Sequence, residues 1–226
     1  LILYGGGSVK ENGLFGRAVY FLEQAGVTWG EMGGVEPNPR IESVRRGVEI
    51  CRDKSADMVI PIGGGSVIDC AKAIAVAVDY EGDPWDLVVD PGKITKALPI
   101  ITVLTIAATG TEMDFYSVIS NMETNDKISF DHRLMFPTYS IMDPGFTETV
   151  SPYQTASGAA DILSHIFEVY FQDLGDTFMQ DRIMEGLMQT VVTYGPAAYQ
   201  HPTDYDARAN LMWASSWAIN GMIACG

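Results

Sequence analysis

The sequence predicts an α/β fold: a Rossmann-like parallel-sheet domain followed by an all-helical domain, incomplete in this chain. Three observations carry that expectation. Short apolar runs at residues 1–4, 58–62 and 98–104 alternate with stretches of helical periodicity. Glycine clusters close the first two runs, as Gly5-Gly6-Gly7-Ser8 and Gly63-Gly64-Gly65-Ser66. After residue 150 strand signals stop and only helical runs remain.

Taken in order, residues 1–4 read as a buried strand. Leu14, Ala18, Phe21, Leu22 and Ala25 then recur at helical spacing, and Gly26 closes that helix. Pro37-Asn38-Pro39 is a turn signal that sets Arg40 at the start of a second helix, whose apolar face is Ile41, Val44, Val48 and Cys51. The continuous apolar run at 58–62 suits a parallel strand buried on both faces. A helix from Ser66 to Val78 follows, with Ser66 as its expected N-cap. Residues 98–104 form the next strand, and Val118-Ile119 and residues 139–142 mark two more. Ser151-Pro152-Tyr153-Gln154 has the pattern of a capping box, with Pro at the first helical position. Beyond it the helical runs are expected to break at Gly175 and at Gly195-Pro196. The domain boundary is therefore set near residue 150, giving 1–149 as a dinucleotide-binding domain and 150–226 as the start of a helical, metal-binding one.

Charge narrows the partners. With 14 basic against 29 acidic residues, the chain carries a formal net charge of −15. It repels nucleic acid and anionic membranes, and no apolar run reaches spanning length. Cys51, Cys70 and Cys225 are odd in number and far apart, so no disulfide framework is expected and a reducing cytoplasm fits. Both ends read as cut. Leu1 begins as if already inside a strand, and the apolar, helix-like stretch after Trp213 stops at Gly226.

Gly63-Gly64-Gly65-Ser66-Val67-Ile68-Asp69 is the strongest local signal. A buried strand delivers three glycines to a helix start, where backbone N–H groups and the helix dipole suit a pyrophosphate. The pattern is neither the usual dinucleotide fingerprint nor a P-loop, and an ordinary strand–helix turn has the same residues. Gly5-Gly6-Gly7-Ser8 repeats the arrangement. No carboxylate stands in that loop to pair with a ribose 2′-hydroxyl, and Lys10 is close, which favours NADP(H) over NAD(H). Thr105-Ile-Ala-Ala-Thr109-Gly110-Thr111-Glu112 is small and hydroxyl-rich, as suits a loop that lies against a ribose or nicotinamide. Asp161 and His165, at i and i+4, share one helix face and could hold a divalent metal; a hydrogen-bonded surface pair has the same spacing. His132 and His201 are assigned no role.

These motifs, in this order, resemble the iron-containing alcohol dehydrogenases, most closely the NADP-using butanol/aldehyde dehydrogenase branch. The resemblance runs nearly end to end, through Tyr4-Gly-Gly-Gly-Ser-Val-Lys10, Gly34-Val-Glu-Pro-Asn-Pro39, Pro61-Ile-Gly-Gly-Gly-Ser-Val-Ile-Asp69, Leu104-Thr-Ile-Ala-Ala-Thr-Gly-Thr-Glu112, Met142-Asp-Pro144 and the Asp161/His165 pair. Asp206-Ala-Arg-Ala-Asn-Leu-Met-Trp-Ala214 and Asn220-Gly221 extend it. It implies that Gly64, Gly65 and Ser66 hold the pyrophosphate with Asp69 alongside. Gly6, Gly7 and Ser8 would meet a 2′-phosphate, with Asn38 on the adenosine side. Thr105, Thr109, Asp114 and Lys127 would line the ribose and nicotinamide, the family often having Thr or Asn where Asp114 stands.

Asp161 and His165 would be the first two ligands of one Fe²⁺ or Zn²⁺. The family adds two further histidines in a segment after Asn220-Gly221, which this chain does not contain. The implied activity is interconversion of primary alcohols and aldehydes with NAD(P)H, by a cytoplasmic homodimer acting on small molecules. An NAD-dependent polyol dehydrogenase and a truncated, non-catalytic nucleotide-binding relative are the alternatives.

Overall fold

The computed structural model describes residues 1–172 and 175–224. Cys225 lies outside them. The elements are β1 (Ile2–Tyr4), α1 (Ser8–Glu11), α2 (Leu14–Gln24), β2 (Glu31–Met32), α3 (Ile41–Lys54), β3 (Ile60–Gly63), α4 (Gly65–Ala77), α5 (Pro84–Val89), β4 (Ile101–Leu104), β5 (Tyr116–Asn121), β6 (Asp126–Asp131), β7 (Tyr139–Ile141), α6 (Pro152–Tyr170), α7 (Phe178–Gln200) and α8 (Tyr205–Ile219). They form two compact units, Leu1–Val103 with Phe115–Ile141, and Leu104–Asp114 with Met142–Gly226.

The first unit is an α/β layer structure, as its alternating sequence pattern predicts. Its sheet has the order β2-β1-β3-β4-β7, and β1 pairs in parallel with both β2 and β3. Strands buried on both faces must be apolar throughout, and Ile2, Leu3 and Ile62 are 1% exposed or less. Helix α3 turns Ile41, Val44, Val48 and Cys51 to the core, all nearly inaccessible. Each large apolar side chain so buried contributes about 1.5–3 kcal/mol. Helix α4 is buried along most of its length, which explains its run of Ala, Ile and Val. It also buries Lys72, whose Nζ donates to the Tyr116 carbonyl at 2.8 Å and so ties α4 to β5.

Two sequence expectations are corrected in this unit. The strand at Val118-Ile119 is not part of the parallel sheet: β5 pairs antiparallel with β6 in a separate two-stranded sheet. Apolar runs alone do not say which sheet a strand joins. Ser66 is not the N-cap of α4 either. The cap is Gly64, in extended conformation and without a side-chain cap bond. The hydroxyl of Ser66, two residues further in, accepts instead from the Asn38 N–H at 3.2 Å.

The second unit is helical. At the start of α6 the Ser151 hydroxyl accepts from the Gln154 N–H at 3.2 Å, as its capping pattern predicts. Arg208 on α8, nearly inaccessible, fastens three helices together. It donates to Thr155 Oγ1 at 2.9 Å, to the Pro202 carbonyl at 2.9 Å and to the Ala198 carbonyl at 3.4 Å. The expected break at Gly195-Pro196 does not occur, since α7 runs through both residues to Gln200. Pro196 removes the bond its N–H would make to the Val192 carbonyl, a local cost that the surrounding packing overrides. Gly195 serves packing: a Cβ there would lie 3.4 Å from the Ala159 side chain.

Candidate functional site

In the first unit, the two glycine loops lie at the C-terminal ends of adjacent parallel strands, β1 and β3. That edge is where ligands of open α/β sheets bind. Gly7 has φ +107°, a left-handed conformation that a side chain would strain. A Cβ on Gly6 or Gly7 would meet nothing within 4 Å, so the surface of this loop is open and ready for close approach. Ser8, exposed, begins α1. At β3, the chain turns through Gly64 into Gly65 and Ser66, and the first turn of α4 has no side-chain cap from its own N-cap residue. Uncapped first-turn N–H groups suit an anion.

Asn38 joins this edge. Its φ of +55° is a left-handed conformation that asparagine tolerates better than most residues. It places the Asn38 N–H on Ser66 and the Oδ1 within 2.7 Å of the Lys127 ammonium. Lys127, which the resemblance grouped with Thr105 and Thr109, is thus held at Asn38 on the same compact unit as the glycine loops. Asp69 is turned elsewhere. Its Oδ2 accepts from the Val118 N–H at 3.0 Å and its carbonyl accepts from the Ser117 hydroxyl at 3.0 Å, so it anchors β5 to α4.

Lys10 does not stand free beside its glycine loop. Its ammonium donates to both carboxylate oxygens of Glu31, at 3.1 and 3.2 Å, and lies 4.9 and 4.7 Å from the ring centroids of Tyr4 and Phe15. Its pKa is raised above the ordinary value, first by the Tyr4 hydroxyl and then by Glu31. Sequence reasoning missed Glu31 because it looked for an acid inside the loop. A signal existed: Glu31 stands 21 residues beyond Lys10, on the next strand. Dinucleotide folds commonly place their ribose-binding acid about 20 residues past the glycine loop.

In the second unit, the loop from Thr105 to Asp114 is packed tightly on the helices. A Cβ on Gly158 of α6 would fall 2.4 Å from the Ala107 carbonyl oxygen. One on Gly110, with φ +64°, would fall 2.5 Å from the Ser215 carbonyl oxygen of α8. Glu112, buried, accepts from the Ser216 hydroxyl at 2.5 Å. Thr105 and Thr109 remain half-buried, and the Thr109 Oγ1 accepts from the Thr111 N–H at 3.4 Å. Asp114 is buried at 3% exposure and closes this segment.

One helical turn beyond Gly158, α6 carries Asp161 and His165, both partly exposed. His165 Nε2 lies 3.7 Å from Asp161 Oδ2, and His165 Nδ1 lies 3.8 Å from Glu168 Oε2. The imidazole pKa is raised, first by the neighbouring Asp161 carboxylate and against the cost of burial. The pair fits a metal. Two ligand atoms each about 2.1 Å from a tetrahedral ion stand about 3.4 Å apart, close to the observed spacing. Among the described residues, no group of three or more His, Cys, Asp and Glu is placed to hold a metal ion. The described residues therefore bring together at most two side chains that such an ion could use, Asp161 and His165. His132 caps a short turn by accepting from the Leu134 N–H at 3.2 Å, and His201 ends α7.

Comparison with known proteins accounts for both halves. Residues 1–144 match the family model described as iron-containing alcohol dehydrogenase, and residues 155–226 match the C-terminal model of the Fe-containing alcohol dehydrogenase family. The chain is 54% identical to the NADH-dependent butanol dehydrogenase B of Clostridium acetobutylicum, over all of this chain and 58% of that protein. It is 40% identical to the NADPH-dependent aldehyde reductase YqhD of Escherichia coli, over all of this chain and 59% of that one. The solved NADH-dependent butanol dehydrogenase A of Thermotoga maritima superposes with a TM-score of 0.95 at 43% identity. The match covers 99% of this chain and 56% of that one. The chain thus spans under three-fifths of these relatives' length, and it belongs to the iron-containing alcohol dehydrogenase family.

Proposed function

We propose that the protein to which this chain belongs interconverts primary alcohols and aldehydes with NAD(P)H in a metal-dependent reaction, as a butanol dehydrogenase-like enzyme. The observation that carries the reading is the Asp161–His165 pair on one face of α6, one turn from the glycine that seats the Thr105–Thr109 loop. When bound, a divalent metal (Fe²⁺ or Zn²⁺) supplies Lewis acidity to a carbonyl oxygen, and the nicotinamide supplies hydride. The chain's own residues bind and orient. Asp161 and His165 contribute two metal ligands, and Glu168 steadies the imidazole from its other nitrogen. The start of α4, with Gly64, Gly65 and Ser66, receives the pyrophosphate, and Lys127 adds a positive charge beside Asn38. Thr105 and Thr109 offer hydroxyls to ribose and nicotinamide.

The Gly6-Gly7-Ser8 loop takes the adenosine ribose. Its open surface leaves room for the 2′-phosphate of NADP(H), which supports that nucleotide, while Glu31, paired with Lys10, counts against it. Relatives of this chain are named for either nucleotide, NADH in the Clostridium acetobutylicum enzyme and NADPH in the Escherichia coli one. A Gly6→Asp substitution puts a carboxylate into the loop and is expected to shift preference toward NADH; an unchanged ratio of the two affinities refutes this assignment. Buried, free Cys51 and Cys70 support a reducing, cytoplasmic setting, and a homodimer is part of the same proposal.

The deciding experiment uses the full-length protein with butanal as substrate. His165→Ala is expected to abolish chelator-sensitive activity with either nucleotide. Retained activity with a full complement of bound metal overturns the ligand assignment.

A further inference from the structure

We propose that Glu31 is a specificity-determining residue for the nucleotide, because it ties up Lys10, the cation of the Gly6-Gly7-Ser8 loop, in competition with a 2′-phosphate. The inference rests on the reading of that loop as the adenosine-ribose site. The geometry is specific. Both Glu31 oxygens accept from the Lys10 ammonium, and the Tyr4 hydroxyl lies 3.5 Å from the same carboxylate. The ammonium is also seated over the rings of Tyr4 and Phe15. Lys10 is therefore held back toward β1 and β2, with its charge already matched.

A 2′-phosphate brings up to two negative charges to this loop and needs an unmatched cation, whereas the 2′-hydroxyl of NAD(H) needs none. Glu31 therefore acts against NADP(H) twice, by occupying Lys10 and by adding a negative charge of its own. The pair is also breakable. Its two side chains are 42% and 41% exposed, so the ion pair is screened by solvent and a phosphate dianion can compete for the lysine. The loop's open glycines admit either nucleotide, and Glu31 decides how strongly the phosphorylated one is disfavoured.

The test is calorimetric titration of the chain with 5′-AMP and with 2′,5′-ADP, which needs neither metal nor turnover. Glu31→Gln is expected to raise affinity for 2′,5′-ADP relative to 5′-AMP by about five- to tenfold. Lys10→Met added to Glu31→Gln is expected to remove that gain. If both nucleotides bind but Glu31→Gln leaves their ratio unchanged, or Lys10→Met does not reverse the gain, the inference is overturned and the loop assignment stands. If the unaltered chain binds neither nucleotide, the loop assignment falls and the inference falls with it. Both side chains lie at the surface, so the variants retain the core that holds the fold.

Discussion

The Lys127 ammonium donates to Asn38 Oδ1 at 2.7 Å across 89 residues of sequence, and the Asn38 N–H donates in turn to the Ser66 hydroxyl at 3.2 Å. A hairpin lysine, a turn asparagine and the first turn of α4 are thereby joined at one place on the first unit. No stretch of sequence around any of the three announces the other two.

Asn38 is the centre of this arrangement, so its replacements should separate conformation from contact. Asn38→Gly removes the side chain but keeps a residue suited to φ +55°. Asn38→Ala removes the same contact and places alanine in a left-handed conformation, costing about 1–2 kcal/mol more. Thermal unfolding is expected to rank wild type above Asn38→Gly and Asn38→Gly above Asn38→Ala. Titration with 5′-AMP should show both variants binding several-fold more weakly, as should Lys127→Met. Equal unfolding temperatures for the glycine and alanine variants refute the conformational part.

The proposed Asp161–His165 ligand pair gives a second expectation. Co²⁺ titrated into this chain should bind weakly and give a visible absorption that vanishes in Asp161→Ala and in His165→Ala. Because His165 must lose its proton to ligate, and Asp161 holds its pKa above 6.5, Co²⁺ binding should strengthen as pH rises through that raised value. Without metal the sign is reversed. The protonated imidazole's contribution to stability is full below pH 6.5 and is lost as pH rises through the raised value. A spectrum unchanged in both variants places the ligands elsewhere.

Three glycines offer a graded steric test. Gly158→Ala puts a methyl group 2.4 Å from the Ala107 carbonyl oxygen, and backbone cannot yield without moving the Thr105–Thr109 loop. A loss of about 1–3 kcal/mol is expected. Gly110→Ala adds a left-handed conformation to a similar clash, so it should lose at least as much. Gly186, inside α7, has open space around it, so Gly186→Ala should gain about 0.5–1 kcal/mol. Urea unfolding followed by helix circular dichroism reads all three, and a harmless Gly158→Ala contradicts the packing described for that loop.

Stability should also fall at alkaline pH for an identifiable reason. Burial pushes the Cys70 thiol far above its ordinary 9.0, and Cys51 is raised by burial too. A raised folded-state pKa gives a contribution present below pH 9.0 and lost as pH rises toward the folded value, since only the unfolded chain ionises easily. The unfolding temperature is therefore expected to drop more steeply above pH 9 in the wild type than in Cys70→Ala. Iodoacetamide should modify Cys70 only after denaturant is added. Parallel pH curves for the two proteins count against the assignment.

The sequence by itself determined the layer structure and most element positions. Parallel strands buried on both faces must be apolar, helices must show a period near 3.6, and glycines must stand where the backbone turns or comes close. Ile2, Ile62, Val44 and Gly7 obey those local rules, as does the α6 spacing that puts Asp161 beside His165. What the tertiary structure decided is of another kind. It moved β5 out of the parallel sheet into a hairpin with β6, and carried α7 through Gly195-Pro196, because neighbouring elements override local preference. It gathered Leu104–Asp114 with the helices although β4 leads directly into it, by backbone contacts at Gly110 and Gly158 that side-chain pattern does not encode. It also turned Asp69 toward Val118, brought Lys127 to Asn38 and set Glu31 against Lys10. Each of those pairings joins residues more than 20 positions apart. Local periodicity sets which way a side chain faces along its own element, and only the packing of elements sets which distant residue it meets.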